Sequence, residues 1–169
     1  MFDIAAAGLP LALAIPLGQI ENAHLRLARR VQEMSQAEVD FTGPAGNVNS
    51  TGMLLAHIAL TDWVYLQCIK GETVSEEPHP VLGPHEDAQG NLPAVSGVPV
   101  ADLLARLAGV REEIRAYLQT CTEAEAQRAV KVPWWPEEAT VRYVLWHMAG
   151  HCMNHIGQID RLKGFYKQG

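Results

Sequence analysis

Cysteine is scarce in this sequence. Its 169 residues hold three, Cys68, Cys121 and Cys152. An odd number, with no CxxC pair, excludes a disulfide-stapled fold and matches the reduced thiols of a cytoplasmic protein. Basic runs are missing as well. Lys and Arg number 13 against 19 Asp and Glu, for a net charge of −6. No stretch interleaves cations with aromatics, so nucleic acid is not expected as a partner. There is no HExxH, which removes the glutamate base of that metalloprotease class. No clear strand is visible, because the valine-containing runs at residues 95–100 and 130–132 are broken by Pro and Gly.

A membrane segment is also lacking. The opening MFDIAAAGLPLALAIPLG is apolar, but it carries Asp3 in place of a basic start and is interrupted by Gly8, Pro10 and Pro16. A spanning helix needs about 20 mostly apolar residues, and a signal peptide a positive beginning. No membrane partner is expected. Residues 1–19 instead read as an apolar N-terminal arm, packed on the body or on a second subunit; the latter predicts a homodimer.

What is present is helical periodicity. The length suits one domain over residues 1–169 with a core of its own. In residues 20–34, Ile20, His24, Leu27, Val31 and Met34 step by three and four, the stripe of a core-facing helix; His24 reads as a hydrogen-bonded core histidine. FTGPAGNVNS breaks that pattern, and a second helix starts near Ser50 and runs to the glycine stop at Gly71. His57, Thr61, Val64 and Cys68 share one of its stripes. Residues 72–98 are rich in Pro, Gly and acids. So long a connection predicts a crossover that leaves the second and third helices parallel. His79 and His85 lie in it, as solvated loop residues or as a lid. The third helix opens at Pro99 with Leu103, Leu107, Val110, Ile114 and Tyr117 inward, while Arg106, Arg111, Glu112, Glu113 and Arg115 read as a solvated face. Thr122 can cap a short acidic turn. Trp134 and Trp135 then either line a pocket mouth or plug one end of the molecule. The expected class is all-α, a four-helix bundle.

The fourth helix carries the chemistry. HMAGHCMNHIGQIDRLKG places Val144, Met148, Ile159 and Leu162 on an apolar face that histidines interrupt. His151 and His155, one turn apart, can both reach one point beside the helix; His147 lies one turn earlier on that face and Gln158 one turn later. With the inward His57 they form three imidazoles from two helices. This is a ligand set for zinc or a neighbouring metal that leaves positions open for water or substrate. Cys152 projects about 100° from His151 and reads as a small core residue. A weak internal echo, SQAEVDFTGP before LLAHIALTD and TEAEAQRAVKVP before VLWHMAGHC, aligns His57 with His147.

LLAHIALTDWVYLQCIKG together with VLWHMAGHCMNHIGQIDRLKG resembles the DinB/YfiT-like superfamily, which includes mycothiol- and bacillithiol-dependent enzymes. The likeness spans roughly residues 20–164. It implies a four-helix bundle with parallel second and third helices. It also implies a divalent metal, zinc or nickel, on His57, His151 and His155, with His147 outside the usual ligand set. The function it implies is a metal-dependent enzyme of thiol S-transferase or isomerase type, using a low-molecular-weight thiol such as mycothiol or bacillithiol on a small-molecule substrate. No catalytic residue is assigned. Asp62, Asp160 and His147 are candidate bases, Thr61 stands one turn after His57, and Arg142 and Arg161 are candidate cations for an anionic thiol. The competing expectation is a non-catalytic, stress-related metal-binding or dimerisation bundle.

Overall fold

The computed structural model describes residues 4–44, 49–75 and 77–168. The first three residues of the expected arm, residues 45–48 in the break before the second long helix, Glu76 in the expected crossover, and Gly169 lie outside them. In chain order the elements are α1 (Leu11–Val31), α2 (Gln36–Asp40), α3 (Thr51–Lys70), α4 (Val100–Leu118), a 3-10 turn (Glu123–Gln127), β1 (Ala129–Val130), β2 (Ala139–Thr140) and α5 (Val141–Tyr166). The class is mostly helical. The exception is the antiparallel pair β1–β2, with Ala129 opposite Thr140 and Val130 opposite Ala139. Two-residue strands are shorter than the alternation by which a strand is recognised in sequence.

Helix α1 starts earlier than the stripe counted from Ile20. Pro10 stands at its N-cap and Pro16 within its second turn, where a missing N–H costs one hydrogen bond but does not stop the chain. Leu13, Leu17 and Ile20 are fully buried, so residues 11–19 of the expected arm form the first half of a core helix. The chain before it crosses α1 at Gly18. Ala6 N–H donates to the Ala14 carbonyl at 2.9 Å, and a Cβ on Gly18 would stand 1.5 Å from the Ile4 carbonyl oxygen. Only glycine allows that approach.

Helix α3 is fixed at both ends. Ser50 Oγ accepts from Met53 N–H at 3.2 Å, and Gly71 ends the helix at φ 76°, a conformation that favours glycine. The helix is long and apolar enough to cross a membrane, yet 78% of its most apolar window is buried inside the molecule. It packs on α4 and α5, while α1 packs on α5 and α4. Leu54, Ile58, Leu66, Leu103, Ile114, Met148 and Ile159 meet in the core between them, each side chain contributing about 1.5–3 kcal/mol of burial.

The connection over residues 72–98 is built around anchors. Leu82 is buried in the core. His79 Nδ1 accepts from Leu82 N–H at 3.0 Å and Val81 N–H at 3.2 Å, and its ring packs edge-on against Trp63 at 4.6 Å. His79 is therefore a half-buried, turn-forming residue. Nearer α4, Gly97 N–H donates to the Asp40 carboxylate at 3.0 Å and Gln36 Nε2 donates to the Val98 carbonyl at 3.2 Å. These two bonds tie the segment to α2.

Candidate metal centre

Helix α3, capped at both ends, presents His57 toward α5, where His151 and His155 come from successive turns. His57 Nε2 lies 3.1 Å from His151 Nε2, and His155 Nε2 lies 2.9 Å from His151 Nε2. One ligand atom from each falls within 4.8 Å of the others. Tetrahedral ligands about 2.0–2.1 Å from zinc stand roughly 3.3 Å apart, so the spacing is close to that of a coordinated set.

The outer nitrogens orient the rings. Gln158 Oε1 is 3.0 Å from His155 Nδ1, and an amide oxygen can only accept, so that nitrogen carries the proton and Nε2 offers a lone pair inward. Thr61 Oγ1 stands 3.4 Å from His57 Nδ1. His151 Nδ1 is buried without a partner. A single proton on His151 Nε2 could serve only one of its two neighbours, whereas a cation among them serves all three. Burial and the charges of His155 and His85 push the His57 pKa down to about 4. Burial and the charges of His155, His57 and His147 take His151 down to about 3. Burial also lowers His155, although Gln158 and Asp62 work the other way. All three rings are neutral at pH 7, the state that binds metal. The residues fit a divalent cation.

The centre opens on a cavity of about 410 Å³ bounded by His57, His151, Thr61, Tyr65, His147 and the Trp134–Trp135 pair. Both tryptophans therefore line a pocket. Tyr65 lies 5.6 and 5.7 Å from their rings, and Trp135 lies 4.9 Å from His147. The β1–β2 contact closes the loop that carries them. His147 stacks at 6.3 Å on His151 and lies outside the three-nitrogen cluster. His85 also lines this cavity.

Of the three candidate bases only His147 faces the cavity. Asp62 is fully buried, and one of its oxygens lies 2.9 Å from His24 Nε2; burial raises its pKa against the opposing bond and charge of His24. Asp160 is exposed, 3.6 Å from Arg30. Cys152 is wholly buried, its thiol pushed up to about 12 by burial and by Asp62. Arg161 borders a separate cavity of about 380 Å³ with Leu54 and Gln158, and Arg142 is exposed. Sequence reasoning missed Tyr65, two turns beyond His57 and hidden in an apolar run, and it set Arg106 on a solvated face. Arg106 is half-buried and shares a second cavity with His57.

The sequence profile described as Mycothiol-S-transferase matches residues 16–168. A protein of Bacillus subtilis (strain 168), "Uncharacterized protein YkkA", is 33% identical over 150 residues, covering 88% of this chain and 85% of the relative. A solved structure, "Crystal structure of the conserved protein of locus from Enterococcus faecalis", superposes with a TM-score of 0.70 at 17% identity, covering 92% of this chain and 96% of that one. It carries the likeness of fold. The chain belongs to the mycothiol-S-transferase family of DinB/YfiT-like proteins.

Proposed function

We propose that His57, His151 and His155 hold a divalent metal, zinc or nickel, and that the chain is a metal-dependent thiol S-transferase or isomerase. In this reading it uses a low-molecular-weight thiol such as mycothiol or bacillithiol on a small molecule. The observation that carries the reading is three converging neutral imidazoles, two of which, His57 and His151, border an aromatic cavity, in a chain of this family. A divalent ion held there supplies the charge that keeps a thiolate deprotonated at neutral pH.

The remaining work falls to the chain's own side chains. Gln158 and Thr61 orient His155 and His57. His147, neutral because burial lowers its pKa, can take the thiol proton at the cavity wall. In transfer the sulfur forms a bond to carbon as the leaving group departs with its electron pair. Trp134, Trp135 and Tyr65 hold the apolar body of the substrate and exclude water. Around the centre we read α1, α3, α4 and α5 as one four-helix bundle in a single domain, with residues 72–98 crossing over so that α3 and α4 run parallel. The three free thiols accord with a cytoplasmic setting.

The second reading is a non-catalytic dimerisation bundle. It is favoured by a shallow cavity between α1 and α5 bordered by exposed Ile4, Trp146 and Met153. Elemental analysis of fresh protein, then S-transfer assays with mycothiol, bacillithiol and glutathione, decides between the two. Stoichiometric metal lost in the His57→Ala, His151→Ala and His155→Ala variants, with turnover of one thiol, supports the enzyme. Protein that carries no metal, transfers no thiol and scatters light as two chains supports the other.

A further inference from the structure

The cavity that Arg106 shares with His57 lies on the crossover side of the centre. It has a volume of about 260 Å³, and Leu60, Leu82, His85 and Ser96 also border it. No Asp or Glu is among its lining residues. The other half-buried arginines find carboxylates: Arg115 pairs with Glu21, Arg111 with Glu112 and Arg128 with Glu125, whereas Arg26, Arg29, Arg142 and Arg161 are exposed to water. Arg106 has no such partner among the described residues, although it is half-buried. A guanidinium withdrawn from water and left unpaired is costly unless an anion completes it.

The surroundings are pre-organised. Leu82 is anchored in the core, and the roof near Ser96 is tied to α2 through Asp40 and Gln36. His57, Leu60 and His85 border both this cavity and the aromatic one, so one molecule can run from Arg106 past His57 to the tryptophans. Beyond Trp135 and His147 a third cavity, about 500 Å³, is bordered by Glu137 and Glu138. The two ends of the site thus differ in sign.

We propose that Arg106 is the anion-recognising residue of this site, taking a carboxylate of the small molecule whose reacting end lies at the three histidines. One guanidinium beside one histidine matches the single charge of a carboxylate, which the fork binds through two N–H groups. A phosphate would call for more cations. The inference deepens the thiol reading above and rests on it for the nature of the reacting end.

Calorimetry on metal-loaded protein tests it with 3-mercaptopropionate, uncharged 2-mercaptoethanol and thiol-free propionate. The wild type is expected to bind mercaptopropionate more tightly than mercaptoethanol. Arg106→Gln should weaken the acid about tenfold or more and leave the alcohol unchanged, with an unaltered thermal melt. Arg106→Glu should shift the preference toward cysteamine. Equal affinities for acid and alcohol in the wild type, or equal losses in Arg106→Gln, would overturn the proposal. If propionate binding depends on Arg106 while neither thiol binds better than its thiol-free analogue, Arg106 stands and the thiol reading falls.

Discussion

Gln158 Oε1 stands 3.0 Å from His155 Nδ1, three residues further along the same helix, and so sets which nitrogen of that ring faces His151. Removing such a support costs about 10–100-fold in metal affinity. Gln158→Ala is expected to fall in that range by competition with a chromophoric chelator, while Gln158→Glu, which still accepts from Nδ1, keeps most of the affinity. Equal affinity in Gln158→Ala and wild type would remove the orienting role.

The first half of α1 is part of the core. Leu17→Ala is expected to cost about 2–5 kcal/mol in urea unfolding, the range for a buried leucine. Gly18→Ala must push the chain at Ile4 aside, and protease digestion should then reach residues 4–10 at a concentration that leaves the wild type intact. A cost below about 1 kcal/mol for Leu17→Ala would return this segment to a peripheral arm.

Acid should destabilise the metal-free protein in a defined window. Unfolded imidazoles take up protons near 6.5, but folded His57 and His151 do so only at about 4 and about 3. Between those values the unfolded state binds more protons, so stability falls as pH drops below 6.5 and is fully present above it. The urea midpoint of chelator-treated protein should decline from pH 6.5 toward 4. Asp62, whose pKa is raised by burial, acts in the opposite sense, so the control is a double variant, His57→Ala with His151→Ala, which should lose much of the slope.

The cysteines should react in order of access. Cys152 is wholly buried with its thiol near 12, Cys68 is buried and its thiol raised by burial, and Cys121 is half-buried. Iodoacetamide on native protein followed by mass spectrometry should label Cys121 first and Cys152 only after unfolding. Early labelling of Cys152 would place it at an accessible site.

Much of the centre was legible because helical periodicity is geometric. His151 and His155 had to share a face, and His57 had to lie among Leu54, Leu60 and Val64. Thr61 and Gln158 followed from the same spacing, and their closeness to the outer ring nitrogens supports the orienting role. What periodicity cannot do is say which neighbour stands across a gap. Arg106 looks solvated on its own helix, yet it is half-buried and borders one cavity with Leu82, Pro93 and Val95 of the connecting segment. Pro16 reads as a break, yet near a helix start it removes one bond and leaves the stripe of Leu13, Leu17 and Ile20 intact. The β1–β2 pair depends on the closing of a loop, which no local pattern of two residues encodes.

Helix α5 carries His147, His151, His155 and Gln158 in one continuous register. Inserting or deleting a single residue within it would rotate every later side chain by about 100° and dismantle the cluster, the cavity wall and the support together. The exposed turn in which Asp87 accepts from the N–H groups of Gln89 and Asn91 carries neither the three histidines nor Gln158. An engineer wishing to graft a tag, a dye or a second domain onto this scaffold should open the chain there: length is negotiable at that turn and fixed along the helix.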